Sequence, residues 1–322
     1  IDYSDSQSLP LIITDNFAEP LVGNYYYTQT AIVGHFDTSL QIDEFGDVLR
    51  LSQDGLTFIT GAHDSHNVSG DNDDEGAVFA YTYDGTGWVQ KGFAVYGEGQ
   101  DIDFGHSMDA NLDCTRFIAG SEHLTNTTTL SDLTGSTDSI GDLGYARVYE
   151  YREFTSNDSG KYHYSSQEQN SNQLLPVIAT ENSTTAPVVG NSYWMQLGFT
   201  IHNVPRANES DEMSVVISND GNTIAIGNPA YDGVDDDMSN PGRVRVFEYR
   251  EFISSDVDNF YYSGFNYGGT QTLPVIVTEY SGKAPIVGNF YWIQKFNDLV
   301  GSANSRRLGG PEGASGIGIF TR

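Results

Sequence analysis

The stretch that decides the fold is Phe45-Gly46-Asp47-Val48-Leu49-Arg50-Leu51-Ser52, then Gln53-Asp54-Gly55, then Thr57-Phe58-Ile59-Thr60-Gly61-Ala62. After an acidic loop it continues with Ala77-Val78-Phe79-Ala80-Tyr81 and Trp88-Val89-Gln90. Short runs rich in Val, Ile, Tyr and Phe, cut by Asp-Gly and Asn-Asp-Gly, are the pattern of brief strands joined by tight turns. Asp54-Gly55 falls between two such runs, where a two-strand hairpin wants a residue of positive φ. The phrase therefore predicts four antiparallel strands.

The phrase returns twice. A second copy runs from Phe104-Gly105 through Arg116-Phe117-Ile118-Ala119-Gly120 and Ala146-Arg147-Val148-Tyr149-Glu150-Tyr151 to Trp194-Met195-Gln196. A third runs from Ser214-Val215-Val216-Ile217 through Thr223-Ile224-Ala225-Ile226-Gly227 and Val244-Arg245-Val246-Phe247-Glu248-Tyr249 to Trp292-Ile293-Gln294. Its hairpin carries Asp220-Gly221, whereas the second copy has Leu112-Asp113-Cys114, a less suitable turn. A repeated unit that cannot bury both faces alone must stack on its neighbours. The expected fold is all-β: a β-propeller of four-stranded antiparallel blades, with β-rich inserts between strands three and four of the long blades.

The inserts have an internal likeness of their own. In the first copy only Asp84-Gly85-Thr86-Gly87 joins strands three and four, but in the other two the joint holds about forty residues. Tyr151-Arg152-Glu153-Phe154 returns as Tyr249-Arg250-Glu251-Phe252, and Leu175-Pro176-Val177-Ile178 as Leu273-Pro274-Val275-Ile276. Ala186-Pro187-Val188-Val189-Gly190-Asn191 returns as Ala284-Pro285-Ile286-Val287-Gly288-Asn289. Near the N-terminus, Leu9-Pro10-Leu11-Ile12, Glu19-Pro20-Leu21-Val22-Gly23-Asn24 and Tyr27-Thr28-Gln29 match the tail of the same insert.

One propeller domain is thus expected, in five parts: 1–30 ends a preceding long blade, 31–103 is a short blade, and 104–210 is a long blade with an insert at about 152–191. Then 211–300 is a second long blade with an insert at about 250–289, and 301–322 is a tail or the start of a further blade. Closed propellers use about four to eight blades. Three whole blades and two ends imply a piece of a larger ring, a ring closed between chains, or a four-bladed ring assembled from both ends.

These phrases resemble the FG-GAP repeats of integrin-α-type propellers and their microbial relatives. The matching residues are Phe45-Gly46 and Phe104-Gly105, with Gly61-Ala62-His63, Gly120-Ser121-Glu122 and Gly227-Asn228-Pro229 at the "GAP" position. The third copy has Asp211-Glu212 where the Phe-Gly pair belongs, and the inserts resemble no family. The resemblance implies a propeller, an extracellular or surface location, and a role in adhesion or recognition. In integrin-like members calcium sits in a carboxylate-rich loop between the first two strands. Here that loop has shrunk to Gln53-Asp54-Gly55, Leu112-Asp113 and Asn219-Asp220-Gly221. One carboxylate per turn cannot supply the six to eight oxygens calcium takes, so those sites do not carry over.

The charge narrows the partners. Among 322 residues, 44 acidic against 15 basic side chains give a formal net charge of -29. Phosphates would be repelled, which disfavours nucleic acid and anionic membranes. No apolar run reaches the roughly 20 residues of a spanning helix, so membrane insertion is not expected. The chain opens on Ile1, as a processed product or a fragment would. Its lone cysteine, Cys114, excludes an intramolecular disulfide and reads as a structural thiol.

Alternation sorts the loops onto two faces. Joints one-to-two and three-to-four share one side, and joints two-to-three share the other with the links between blades. The second face collects Asp64, Asp71, Asp73, Asp74 and Glu75; Asp132, Asp138 and Asp142; and Asp232, Asp235, Asp236 and Asp237. Asp235, Asp236 and Asp237, then Asp71, Asp73 and Asp74, are the candidates for calcium, weighed against a solvated acidic surface. His63, Asp64 and His66 form the tight His/Asp group, a candidate transition-metal site weighed against ordinary loop histidines. Sequons occur at Asn67, Asn126, Asn157, Asn182 and Asn208, all in expected loops or inserts, where glycans would be tolerated.

Tyr162-His163-Tyr164, Phe260-Tyr261-Tyr262, Phe265 and Tyr267 suit either sugar stacking or packing of the insert on its blade. Trp88, Trp194 and Trp292 share one repeat position and are expected to pack between blades. The histidines form no Ser-His-Asp order, and no catalytic residue is assigned. The expectation is a non-catalytic, extracellular or surface-displayed propeller for adhesion, recognition or assembly. Its partners would be a protein or glycan surface ligand, or further copies of itself. The alternatives are a propeller-type polysaccharide-active enzyme, either glycoside hydrolase or lyase, and an architectural repeat of a filament or virion.

Overall fold

The computed structural model describes residues 44–66, 75–97, 102–121, 144–165, 175–181, 185–202, 213–229, 231, 242–262, 273–278 and 283–301. They form an all-β protein of three sheets. The first sheet holds β1 (Leu49–Leu51), β2 (Thr57–Ala62), β3 (Ala77–Tyr83), β4 (Trp88–Gln90) and β5 (Val95–Tyr96). The second holds β6 (Ser107–Ala110), β7 (Arg116–Ser121), β8 (Tyr145–Glu153), β9 (His163–Ser165), β10 (Val177–Ala179), β11 (Ser192–Gln196) and β12 (Ile201–His202). The third repeats the second with β13 (Ser214–Ile217), β14 (Thr223–Asn228), β15 (Arg243–Glu251), β16 (Tyr261–Tyr262), β17 (Val275–Ile276), β18 (Phe290–Gln294) and β19 (Leu299–Val300).

Each repeat gives the expected four-stranded antiparallel unit, with one refinement. Its fourth strand is broken in two: β4 and β5 both pair with β3, β11 and β12 with β8, and β18 and β19 with β15. In the first two sheets the break lies against the neighbouring sheet. At it stand Gly92 and Gly198, both at φ 75, and a Cβ on either would lie 3.0 Å or less from the indole of Trp194 or Trp292 in the next sheet. Only glycine combines that dihedral with that approach.

The inserts widen the sheets. β8 and β15 run two residues into the range expected for the insert, to Glu153 and Glu251, and pair with β11 and β18. A 3-10 turn at Ser156–Asp158 or Ser254–Asp256 then leads to β9 or β16. The sheet order is β6-β7-β8-β11-β10-β9, and likewise β13-β14-β15-β18-β17-β16, with the outermost pair parallel. The glutamine of each Trp-x-Gln explains how the extension is held. The buried amide oxygens of Gln196 and Gln294 accept from the backbone N–H of Val177 and Val275 at 3.0 Å. Gln90, whose repeat has no insert, is exposed.

Period-two alternation distributes the core. Ile59, Val78 and Ala80 face the second sheet, where Phe117, Ala119, Tyr149 and Trp194 meet them. Ile118, Ala146 and Val148 leave the other side of the second sheet to meet Ile224, Ile226, Phe247 and Trp292 of the third. Trp194 and Trp292 are fully buried, and their indole N–H groups donate to the carbonyls of Lys91 and Leu197 at 2.8 Å. Trp88 departs from the expectation. It is half-buried on the outer side of the first sheet beside Phe58 and Tyr83, because no described sheet stacks there.

The first strands of the three repeats lie side by side. Buried Asp109 on β6 ties them, taking the Arg50 guanidinium of β1 on one side and the Ile217 N–H of β13 at 2.9 Å on the other. The hairpin turns link in the same direction, Gln53 N–H to Leu112 O at 2.9 Å and Leu112 N–H to Asn219 O at 3.1 Å. At their positive-φ position stand Gly55, Cys114 and Gly221, with φ of 72, 50 and 72. Cys114 thus occupies a place that suits glycine, as its turn sequence foretold, and burial pushes its thiol up to about 11. That thiol is structural.

Candidate functional site

Two features stand out, one at the first sheet junction and one on the inserts. The junction site grows from a turn that precedes the first strand of the first and second repeats. In Glu44-Phe45-Gly46-Asp47 the Asp47 N–H donates to Glu44 O, and in Asp103-Phe104-Gly105-His106 the His106 N–H donates to Asp103 O, both at 3.1 Å. Glu44 and Asp103 sit at φ 56 and 52, and the glycines at 101 and 97. Because both copies share these dihedrals, the strain belongs to the turn. Phe45 packs on Phe79 and Tyr81, and Phe104 on Tyr145 and Tyr149, so each turn is pinned to its own sheet.

Pinning places Asp47 and His106, equivalent positions of successive repeats, around His63 at the end of β2. The His63 and His106 rings meet edge to face with centroids 4.9 Å apart. Nδ1 of His63 is buried, lies 3.4 Å from Asp47 Oδ2 and makes no hydrogen bond. Nε2 lies 3.1 Å from Glu44 Oε2 and 3.3 Å from Asp64 Oδ1. Two sets, Asp47/His63/His106 and Glu44/His63/Asp64, each bring ligand atoms within 4.8 Å of one another. The residues come from a strand end and two inter-repeat links, the loop classes expected to share a face.

The sequence grouping of His63, Asp64 and His66 is therefore corrected in part. His63 and Asp64 belong together, but His66 is buried and stands in neither set. Adjacency along the chain missed Glu44, Asp47 and His106. The available signal was the repeat alignment, which puts Asp47 and His106 at one turn position. The calcium candidates Asp71, Asp73, Asp74, Asp235, Asp236 and Asp237 lie outside the described residues, as do Asn67, Asn126, Asn182 and Asn208. Asn157 is exposed on its 3-10 turn.

The insert site is built twice. Val188 and Val189 are 57% and 58% exposed, and Ile286 and Val287 are 60% and 53% exposed. Each pair sits on a turn held by three matching backbone–backbone bonds and one from the backbone to a tyrosine hydroxyl. In the first, Gly190 N–H donates to Phe154 O, Phe154 N–H to Asn191 O, Asn191 N–H to Val188 O, and Val188 N–H to the Tyr193 hydroxyl. In the second, Gly288, Phe252, Asn289 and Ile286 repeat this, with Tyr291 supplying the hydroxyl.

The insert beneath is pinned by charge. Arg152 pairs with Asp158 and Arg250 with Asp256, at 2.8 and 2.7 Å. The guanidinium beside each acid holds its carboxyl below the usual range, and Asp158 lies far below it. Tyr162 and Tyr164, with Phe260 and Tyr262, pack into the insert cores, which answers the choice between packing and display for those four. Phe265 and Tyr267 lie outside the described residues.

No family model matches the chain, and neither the curated proteins nor the solved structures contain a significant match to it.

Proposed function

We propose that this chain is a non-catalytic β-propeller module of the FG-GAP type, working outside the cell or on a surface in recognition or assembly through its rim inserts. The observation that carries this reading is the pair of tips, Val188-Val189 and Ile286-Val287, each exposing two adjacent aliphatic side chains on a hydrogen-bonded turn. Exposed apolar groups on a pre-ordered loop lose little entropy on binding. Repeating them on successive inserts makes the contacts add by avidity. A net charge of -29 keeps such a surface soluble and turns anionic partners away. The acidic loops at 71–74 and 235–237 would add calcium bridges between copies.

The test compares the chain with a quadruple variant, Val188→Ser, Val189→Ser, Ile286→Ser and Val287→Ser. Solution mass is followed by light scattering over a concentration series with calcium and after chelation, and both proteins are screened on immobilised glycans. The wild type should self-associate or bind glycan, and the variant should lose at least about tenfold in apparent affinity as two tips fail together. A variant that associates and binds as the wild type does, or a wild type that does neither, overturns the role of the tips. Calcium-independent mass would remove the acidic loops from it.

A further inference from the structure

We infer that Asp47, His63 and His106 form a site for a divalent transition metal of the zinc class, bridging the first and second sheets. Three protein ligands of this kind, two imidazoles and a carboxylate, match a zinc-class site with one further position left for water. In a tetrahedral site with bonds of about 2.0–2.1 Å, ligand atoms stand roughly 3.3–3.5 Å apart. Nδ1 of His63 and Oδ2 of Asp47 already lie 3.4 Å apart, and all three ligand atoms lie within 4.8 Å. Small side-chain rotations close the set.

The other ring nitrogen of His63 supports this assignment. Metal-bound histidines donate their second N–H to a carboxylate, which fixes the tautomer and orients the ring. Nε2 of His63 faces Glu44 at 3.1 Å and Asp64 at 3.3 Å, leaving Nδ1 as the lone-pair nitrogen on the Asp47 side, where it is buried and makes no hydrogen bond. Two imidazoles with a single carboxylate also argue against calcium and magnesium, which take oxygen ligands. At the second junction the His106 position is filled by Met213, buried in the core, so the site is specific to one junction. The ion would join the loop after β2 to the turn before β6, adding a metal link to the Arg50–Asp109 pair and the hydrogen bonds that already join the two repeats.

The experiment uses the full chain freed of metal by chelation. Zinc and calcium are titrated separately by calorimetry, and the cobalt-loaded protein is read by its visible absorption. The expected result is one zinc per chain, a raised melting temperature with zinc but not with calcium, and a cobalt spectrum of low coordination number. His106→Asn and Asp47→Asn should each lower zinc affinity by at least about a hundredfold, and Glu44→Gln by about tenfold through the ring orientation. Circular dichroism and the metal-free melting temperature report whether each variant keeps the fold. Should one variant unfold, the other ligand variant carries the comparison. Absence of zinc binding overturns the assignment. So does zinc binding that both ligand variants retain, since the ion would then sit among the chain's other carboxylates.

Discussion

The two sheet junctions start from one repeat and end differently. At the first, Trp194 reaches across to the Lys91 carbonyl, and the Lys91 ammonium lies over the rings of Tyr151 and Trp194. At the second, Trp292 reaches the Leu197 carbonyl in the same way, with an aliphatic residue where the lysine stood. The second junction gains a polar tie elsewhere: Arg116 binds Glu150 on its own sheet and Asn222 on the next, at 2.6 and 2.7 Å. The turns diverge most, with His106 at one junction and Met213 at the other. The buried tryptophan and its glycine are thus fixed by stacking. Met213 joins the core, whereas His106 lies at its edge and is free to become part of a site.

The largest effect should come from the tryptophans. Trp194→Ala and Trp292→Ala should each cost about 3–5 kcal/mol in urea unfolding, as a fully buried indole leaves a cavity. Trp88→Ala should cost clearly less, because that ring is half-buried. An equal loss would break the comparison by making the outer face of the first sheet a third junction.

Next come the strand-four glycines. Gly198→Ala places a Cβ 2.8 Å from Trp292 at φ 75 and should cost about 1–3 kcal/mol. The same repeat position in the third sheet holds Phe296, which is 62% exposed. Phe296→Gly should change stability by no more than about 0.5 kcal/mol. A large loss there would show that Phe296 is itself packed in solution.

Acid should act on the inserts before the junctions. The carboxyls of folded Asp158 and Asp256 are held below the ordinary aspartate range by hydrogen bonds from Arg152 and Arg250. Their contribution is therefore complete above the unfolded value and is lost as pH falls through the folded one. Hydrogen exchange of β9 and β16 should quicken only below about pH 4, while β7 and β14 stay protected. Loss of protection in all four strands at one pH would merge insert and junction into one cooperative unit. The smallest effect concerns Cys114. With its thiol pushed up by burial, it should react with a thiol reagent at neutral pH only as fast as the chain opens. Fast labelling of the native chain would show the Cys114 turn to be looser than its glycine-bearing counterparts.

Much of the fold was legible because strand formation is local. The short runs rich in Val, Ile, Tyr and Phe at Thr57–Ala62 and Ala77–Tyr83 announced strands, and Asp54-Gly55 and Asp220-Gly221 announced the turns between them. The half-strands β5, β12 and β19 were not seen, since two residues carry no periodicity. The role of Gln196 and Gln294 was hidden as well, because Gln90 bears the same motif with nothing to hold. At the site, chain adjacency found His63 and Asp64 but promoted His66 over His106.

The sequence by itself determined the repeat, its strands, the turn chemistry and the positions that enter the core, since each depends on neighbours within a few residues. Only the tertiary structure decided that the inserts lengthen their own sheets, that Asp109 joins three first strands, and that His63 meets His106. Those meetings depend on how one pleated face stacks on the next. Stacking is set by the summed shape of many side chains, and no single spacing along the chain records it.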